Sequence, residues 1–140
     1  MPNWFVHMDW CQKAGIPKKI AEFVNRSIDY GSDWIVNKTP GDLNIDEGPF
    51  YQQLVYFYNK DNERKVYVKA CYLHHLLDFF KETNVDVYQL DLVFKKFLNQ
   101  KAVINIIDLN GNKVNFEGII DNLFQLLRNN KKELLVDLFG

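Results

Sequence analysis

The sequence predicts a single α+β domain, mainly helical, with about five helices and one β-hairpin toward the C-terminus. Three observations carry this. Apolar residues recur at helical spacing along most of the chain. The pattern switches to a β-branched run only at 102–107, just before Asn110-Gly111, a strong two-residue hairpin signal. The length, 140 residues, falls in the range of one domain with its own core.

Taken in order, Trp4 to Cys11 alternates Trp4, Val6, Met8 and Trp10 against Phe5, His7, Asp9 and Cys11, a period of two that fits a short N-terminal strand. A turn or two of helix before Gly15 is the competing reading. Pro17 suits a first helical position, and Ile20, Ala21, Phe23, Val24 and Ile28 follow at helical spacing, so a helix is expected from Pro17 to Asp29. A long loop of about 30–48 comes next, with Trp34, Ile35 and Val36 tucked onto the core.

Pro49 opens an aromatic second helix that ends at Asn59-Lys60-Asp61-Asn62. A third, from about Glu63 to Lys81, places Val66, Ala70, Leu73, Leu77 and Phe80 within one narrow arc and is the most regular element of the chain. A fourth runs from about Asp86 to Asn99 with Val87, Leu90, Phe94 and Phe97 inward. In the hairpin, a two-residue Asn110-Gly111 loop sets Asp108 opposite Lys113 and Ile107 opposite Val114. A fifth helix holds Ile119, Ile120, Leu123, Phe124 and Leu127, and a last short one Leu134, Leu135 and Leu138.

Hydrophobic residues make up 47% and charged residues 25%, the balance of a chain that folds by itself. A formal charge of −1 excludes the global basic field that gives non-specific nucleic-acid affinity. No apolar run reaches the ~18 residues of a membrane span, and Met1-Pro2-Asn3-Trp4 lacks the basic-then-apolar pattern of a secretory signal. Cys11 and Cys71 are too few and too far apart for a disulfide scaffold. Two free thiols and a cytoplasmic protein are the expectation.

The chemistry-bearing residues gather on the third helix, where Tyr67, Cys71, His74 and Asp78 share a stripe beside the apolar face. His75 points roughly 100° away from His74, so that pair cannot bind one ion from one face. The usable pairs are His74 with Asp78 and Cys71 with His75. On a functional reading His74 is a ligand or general base oriented by Asp78, with His7, Asp9 or an acidic loop residue such as Asp42 or Asp46 completing the site, as in a small metal-dependent hydrolase or nuclease. On the plainer reading, His74 and Asp78 form a surface hydrogen bond and Cys71 fills core.

A second constellation is a helix-turn-helix over 10–28, with Gly15 at the turn and Lys18, Lys19, Glu22, Asn25 and Arg26 presented toward a major groove. The stretch Asp108 to Asn112 places oxygen-bearing residues at alternate positions as a calcium loop does, but Lys113 stands where glycine is needed and Ile119 where glutamate is needed. No phosphate loop, nucleophile elbow or paired-cysteine motif occurs, so no cofactor and no bound metal are expected. The leading expectation is a non-enzymatic interaction or regulatory protein acting through an aromatic and leucine-rich surface. Its interface is Leu134, Leu135, Leu138 and Phe139, docking across a homodimer.

Overall fold

The computed structural model describes residues 4–29, 48–83, 88–100 and 103–140. Its elements run α1 (Trp4–Lys13), α2 (Lys18–Asp29), α3 (Gly48–Tyr58), α4 (Arg64–Glu82), α5 (Leu90–Gln100), β1 (Asn105–Ile107), β2 (Lys113–Asn115), α6 (Glu117–Asn129) and α7 (Lys131–Phe139). The mainly helical α+β class is thus observed, with seven helices among the described residues. The expected loop and its Trp34, Ile35 and Val36, with Asp42 and Asp46, fall at 30–47, outside the described residues, as does Val87.

The N-terminal segment is a helix, not a strand. His7, Trp10 and Cys11 are its buried residues, an i, i+3, i+4 set that meets the core along one helical face. The alternation of large apolar residues misleads because only one helical face is covered, leaving Phe5 exposed. The helix ends in a Schellman motif: Ile16 N–H donates to the Cys11 carbonyl and Gly15 N–H to that of Gln12, both at 3.0 Å. Gly15 takes φ +78°, which a side chain would strain.

α4 is the axle of the fold and touches each of the other six helices. Ala70, Leu73, Leu77 and Phe80 are fully buried along its length, as the wheel requires. Asp61 anchors its start, accepting a bond from Glu63 N–H at 2.8 Å and one from the Tyr67 hydroxyl at 2.9 Å. Around it pack Ala21 and Val24 of α2, Leu54 and Phe57 of α3, Phe94 and Phe97 of α5, and Leu123 and Leu127 of α6.

The hairpin is antiparallel, but its register is one residue from the expected one: Ile107 lies opposite Lys113 and Ile106 opposite Val114. The cause is Asp108. Instead of facing Lys113, its Oδ1 accepts the N–H groups of Asn110 and Asn112, each at 2.9 Å. Gly111, at φ +83°, donates to the Asp108 carbonyl. This is a turn closed by a left-handed glycine, which takes more residues than a two-residue loop. Since a slip of one exchanges faces, Ile106 is buried and Ile107 exposed. The hairpin rests on α3, where Ile107 N–H donates to the Tyr51 hydroxyl at 2.9 Å.

The C-terminal helix corrects a further expectation. Leu134 and Leu138 are buried within this one chain, Leu135 is half-buried and Phe139 exposed. Asp137 accepts the Trp10 indole N–H at 3.0 Å, Lys13 meets Glu133 at 2.8 Å, and Lys81 donates to the Leu138 carbonyl at 2.6 Å. The surface that α7 covers is therefore α1 and α4 of the same chain, and Leu134 and Leu138 are not free to dock on a second copy.

Candidate metal centre

Three helices converge on one buried polar cluster. α1 brings His7, α2 brings Asn25 and Asp29, and α4 brings His74 and Asp78 one turn apart. Both histidines are about 1% exposed, far below what an ordinary surface pair would show. Asp78 bridges them: Oδ1 accepts from His7 Nε2 at 3.1 Å, and Oδ2 lies 3.3 Å from His74 Nε2. On its other side His74 Nε2 is 3.1 Å from Asp29 Oδ1. The His7 and His74 rings stack, with centroids 4.1 Å apart.

The proton positions follow from Asn25. Its Nδ2 donates to the Ala21 carbonyl at 2.9 Å, which turns Oδ1 toward His74 Nδ1 at 2.7 Å. An amide oxygen only accepts, so Nδ1 of His74 is the donor. Nε2 then faces the carboxylates of Asp29 and Asp78, close to both but aligned for a hydrogen bond with neither. His74 Nε2, Asp29 Oδ1 and His7 Nδ1 are buried atoms without a hydrogen-bond partner among the described residues. A neutral imidazole would aim a lone pair at two anions. The arrangement calls for a cation there, either a proton or a metal ion.

One nitrogen of His7, one of His74 and one oxygen of Asp78 lie within 4.8 Å of one another. Bonds of about 2.0–2.2 Å allow ligand pairs up to roughly 4.3 Å apart, so small side-chain shifts complete a site for a first-row divalent ion. Burial works to raise the Asp78 pKa, but the hydrogen bond from His7 and the attraction of both imidazoles outweigh it and hold the carboxyl well below its ordinary range. A carboxylate that stays ionised while partly buried is a ready metal ligand. A cleft of about 120 Å³, lined by Phe50, His75, Asp78, Phe79, Glu82 and Phe97, opens onto Asp78.

No family model, curated protein or solved structure matches this chain.

The other expected site residues do not join the cluster. Asp9, two residues past His7, is exposed and lines a separate cavity of about 400 Å³ between α1 and α2 with Met8, Gln12, Ile16, Lys18 and Ala21. Tyr67 is tied to Asp61 at the start of α4. Cys71 is fully buried facing Gln53 Oε1 at 3.8 Å, which also lies 2.6 Å from His75 Nε2, so Cys71 and His75 meet Gln53 rather than pair as ligands. Burial pushes both thiols up, Cys11 to about 11 and Cys71 further.

The helix-turn-helix expectation meets α1 and α2 joined at Gly15, with Lys18, Lys19 and Arg26 exposed. Asn25, its expected base reader, is wholly buried against Cys11, Met8 and His74 and cannot reach a groove. The aromatic surplus lies mostly inside: Trp10, Phe57, Tyr72, Phe80, Phe97 and Phe116 are among the largest fully buried side chains. Exposed large apolar residues are distributed over α1, the start of α5, the hairpin and α7. Asp29 was not among the expected site residues, and Asn25 was expected at a DNA groove rather than in this cluster. The available signal was a polar pair at i, i+4 beside the apolar stripe of Ala21, Val24 and Ile28.

Proposed function

We propose that this protein is a small metal-dependent hydrolase, cleaving an ester or phosphodiester, with a divalent ion that would be held by His7 Nε2, His74 Nε2 and one oxygen of Asp78, the His7 proton moving from Nε2, where it faces Asp78 in the metal-free protein, to Nδ1. The observation that carries the reading is His74 Nε2, buried, without a hydrogen bond, and aimed between two carboxylates 3.1 and 3.3 Å away. Three protein ligands with a fourth position left open is the pattern of hydrolytic zinc sites, where the ion lowers the pKa of its water to about 7 and polarises the substrate. The cleft reaches the cluster at Asp78, and Asp29 would stand beside the ion as a further carboxylate. The interaction reading rested on missing catalytic motifs and on aromatic and leucine surface, yet many of the large aromatic rings lie in the core. Two thiols without a disulfide partner suit a reducing compartment, and we assign the protein to the cytoplasm on that ground.

The test is hydrolysis of bis(4-nitrophenyl) phosphate and 4-nitrophenyl acetate by chelator-treated protein before and after addition of Zn2+, Mn2+ or Co2+. The reading expects metal-restored turnover that is lost in His74→Ala and Asp78→Asn. Equal rates in metal-restored wild type and in these variants would refute it.

A further inference from the structure

We infer that Asn25 is a positioning residue that sets the metal-binding tautomer of His74. The inference rests on the metal reading above and extends it to a residue that would not touch the ion. Asn25 is completely buried, and each of its amide atoms is committed. Nδ2 donates to Ala21 O at 2.9 Å and lies 3.5 Å from Cys11 Sγ and 3.6 Å from Met8 Sδ. These contacts forbid the flipped amide, because an oxygen turned that way would face the Ala21 carbonyl with no proton between them. Oδ1 is therefore fixed at 2.7 Å from His74 Nδ1 as an acceptor.

A neutral imidazole carries one proton on either nitrogen, and in water the two forms interconvert freely. Holding it on Nδ1 leaves the lone pair on Nε2, the atom that faces Asp29 and Asp78. It also fixes the ring about its long axis and raises the donor strength of Nε2, as hydrogen-bonded partners of metal-bound histidines do. His7 differs: its Nδ1 has no such partner among the described residues, so the preset ligand of the pair is His74. Asn25 accordingly ties α2 to the metal ligand of α4 while its amide faces the sulfur atoms of α1.

The experiment compares wild type, Asn25→Ala and His74→Ala. Zn2+ affinity is measured by competition with a chromophoric chelator, the ring proton of His74 by long-range 1H–15N correlation, and folding by circular dichroism. Asn25→Ala should bind Zn2+ about 10–100-fold more weakly than wild type. In the zinc-bound wild type the His74 proton should sit on Nδ1. A wild-type proton on Nε2, or a folded Asn25→Ala that binds Zn2+ as wild type does, would overturn the inference while leaving the metal site standing. A wild type that binds no Zn2+ would instead remove the metal reading, and the inference with it. Should Asn25→Ala not fold, the wild-type tautomer decides alone.

Discussion

The ring of His7 lies flat on the ring of His74, with planes 10° from parallel. Their nitrogens meet Asp78 from α1 and α4, elements that no local sequence pattern brings together.

His74→Ala should destabilise the metal-free protein by about 1–3 kcal/mol, since it leaves the buried Asn25 oxygen without the His74 Nδ1–H donor. A surface pair with Asp78 would contribute only about 0.3–0.5 kcal/mol. Urea unfolding alongside Leu77→Ala, expected to cost about 2–5 kcal/mol, checks the order. A His74→Ala protein as stable as wild type would mean that the imidazole is not buried in solution.

Removing residues 133–140 should unfold the chain rather than release a folded monomer. Leu134 and Leu138 fill the core beside Trp10, whose indole N–H would also lose Asp137. The milder Leu134→Ala should cost about 2–5 kcal/mol. A truncated protein with a cooperative thermal transition would contradict this packing.

Cys11 and Cys71 should stay unreactive toward a disulfide reagent at pH 8 in the folded protein. Thiol pKa values raised by burial keep both as thiols, and the thiolate is the attacking species. Both should label in denaturant. Fast labelling of either one under native conditions would show that it is not enclosed as described.

Asp108→Ala should weaken the hairpin by about 1 kcal/mol, because two turn N–H groups lose their acceptor. A Lys113→Ala change should be nearly neutral, as Lys113 faces Ile107 and not Asp108. Thermal unfolding of the pair discriminates the observed register from the expected one, which would make the two changes similar.

Periodicity alone located α2, α4 and α6, because each buries one long apolar face and the spacing of three and four is a direct record of that face. It misled at Trp4 to Cys11, where apolar residues stand on wet and buried sides alike, and at Asp108, whose carboxylate closes the turn in place of a cross-strand pair. For the site, the His74 and Asp78 spacing was readable as one turn of helix. Their burial was not, nor was the arrival of Asp29 and Asn25 from α2, since tertiary convergence leaves no mark in local spacing. Asp9 stands two residues past His7, and two residues along a helix point to nearly opposite sides, so it faces solvent while His7 faces the cluster.

The most direct test of the account is metal content. Chelator-treated protein is dialysed against a slight excess of Zn2+, then against buffer, and its zinc is measured by inductively coupled plasma mass spectrometry. The account predicts one retained ion per wild-type chain and none in His7→Ala, His74→Ala or Asp78→Asn, each first shown to be folded by circular dichroism. A wild type that retains no zinc, or folded variants that retain as much as wild type, would contradict it.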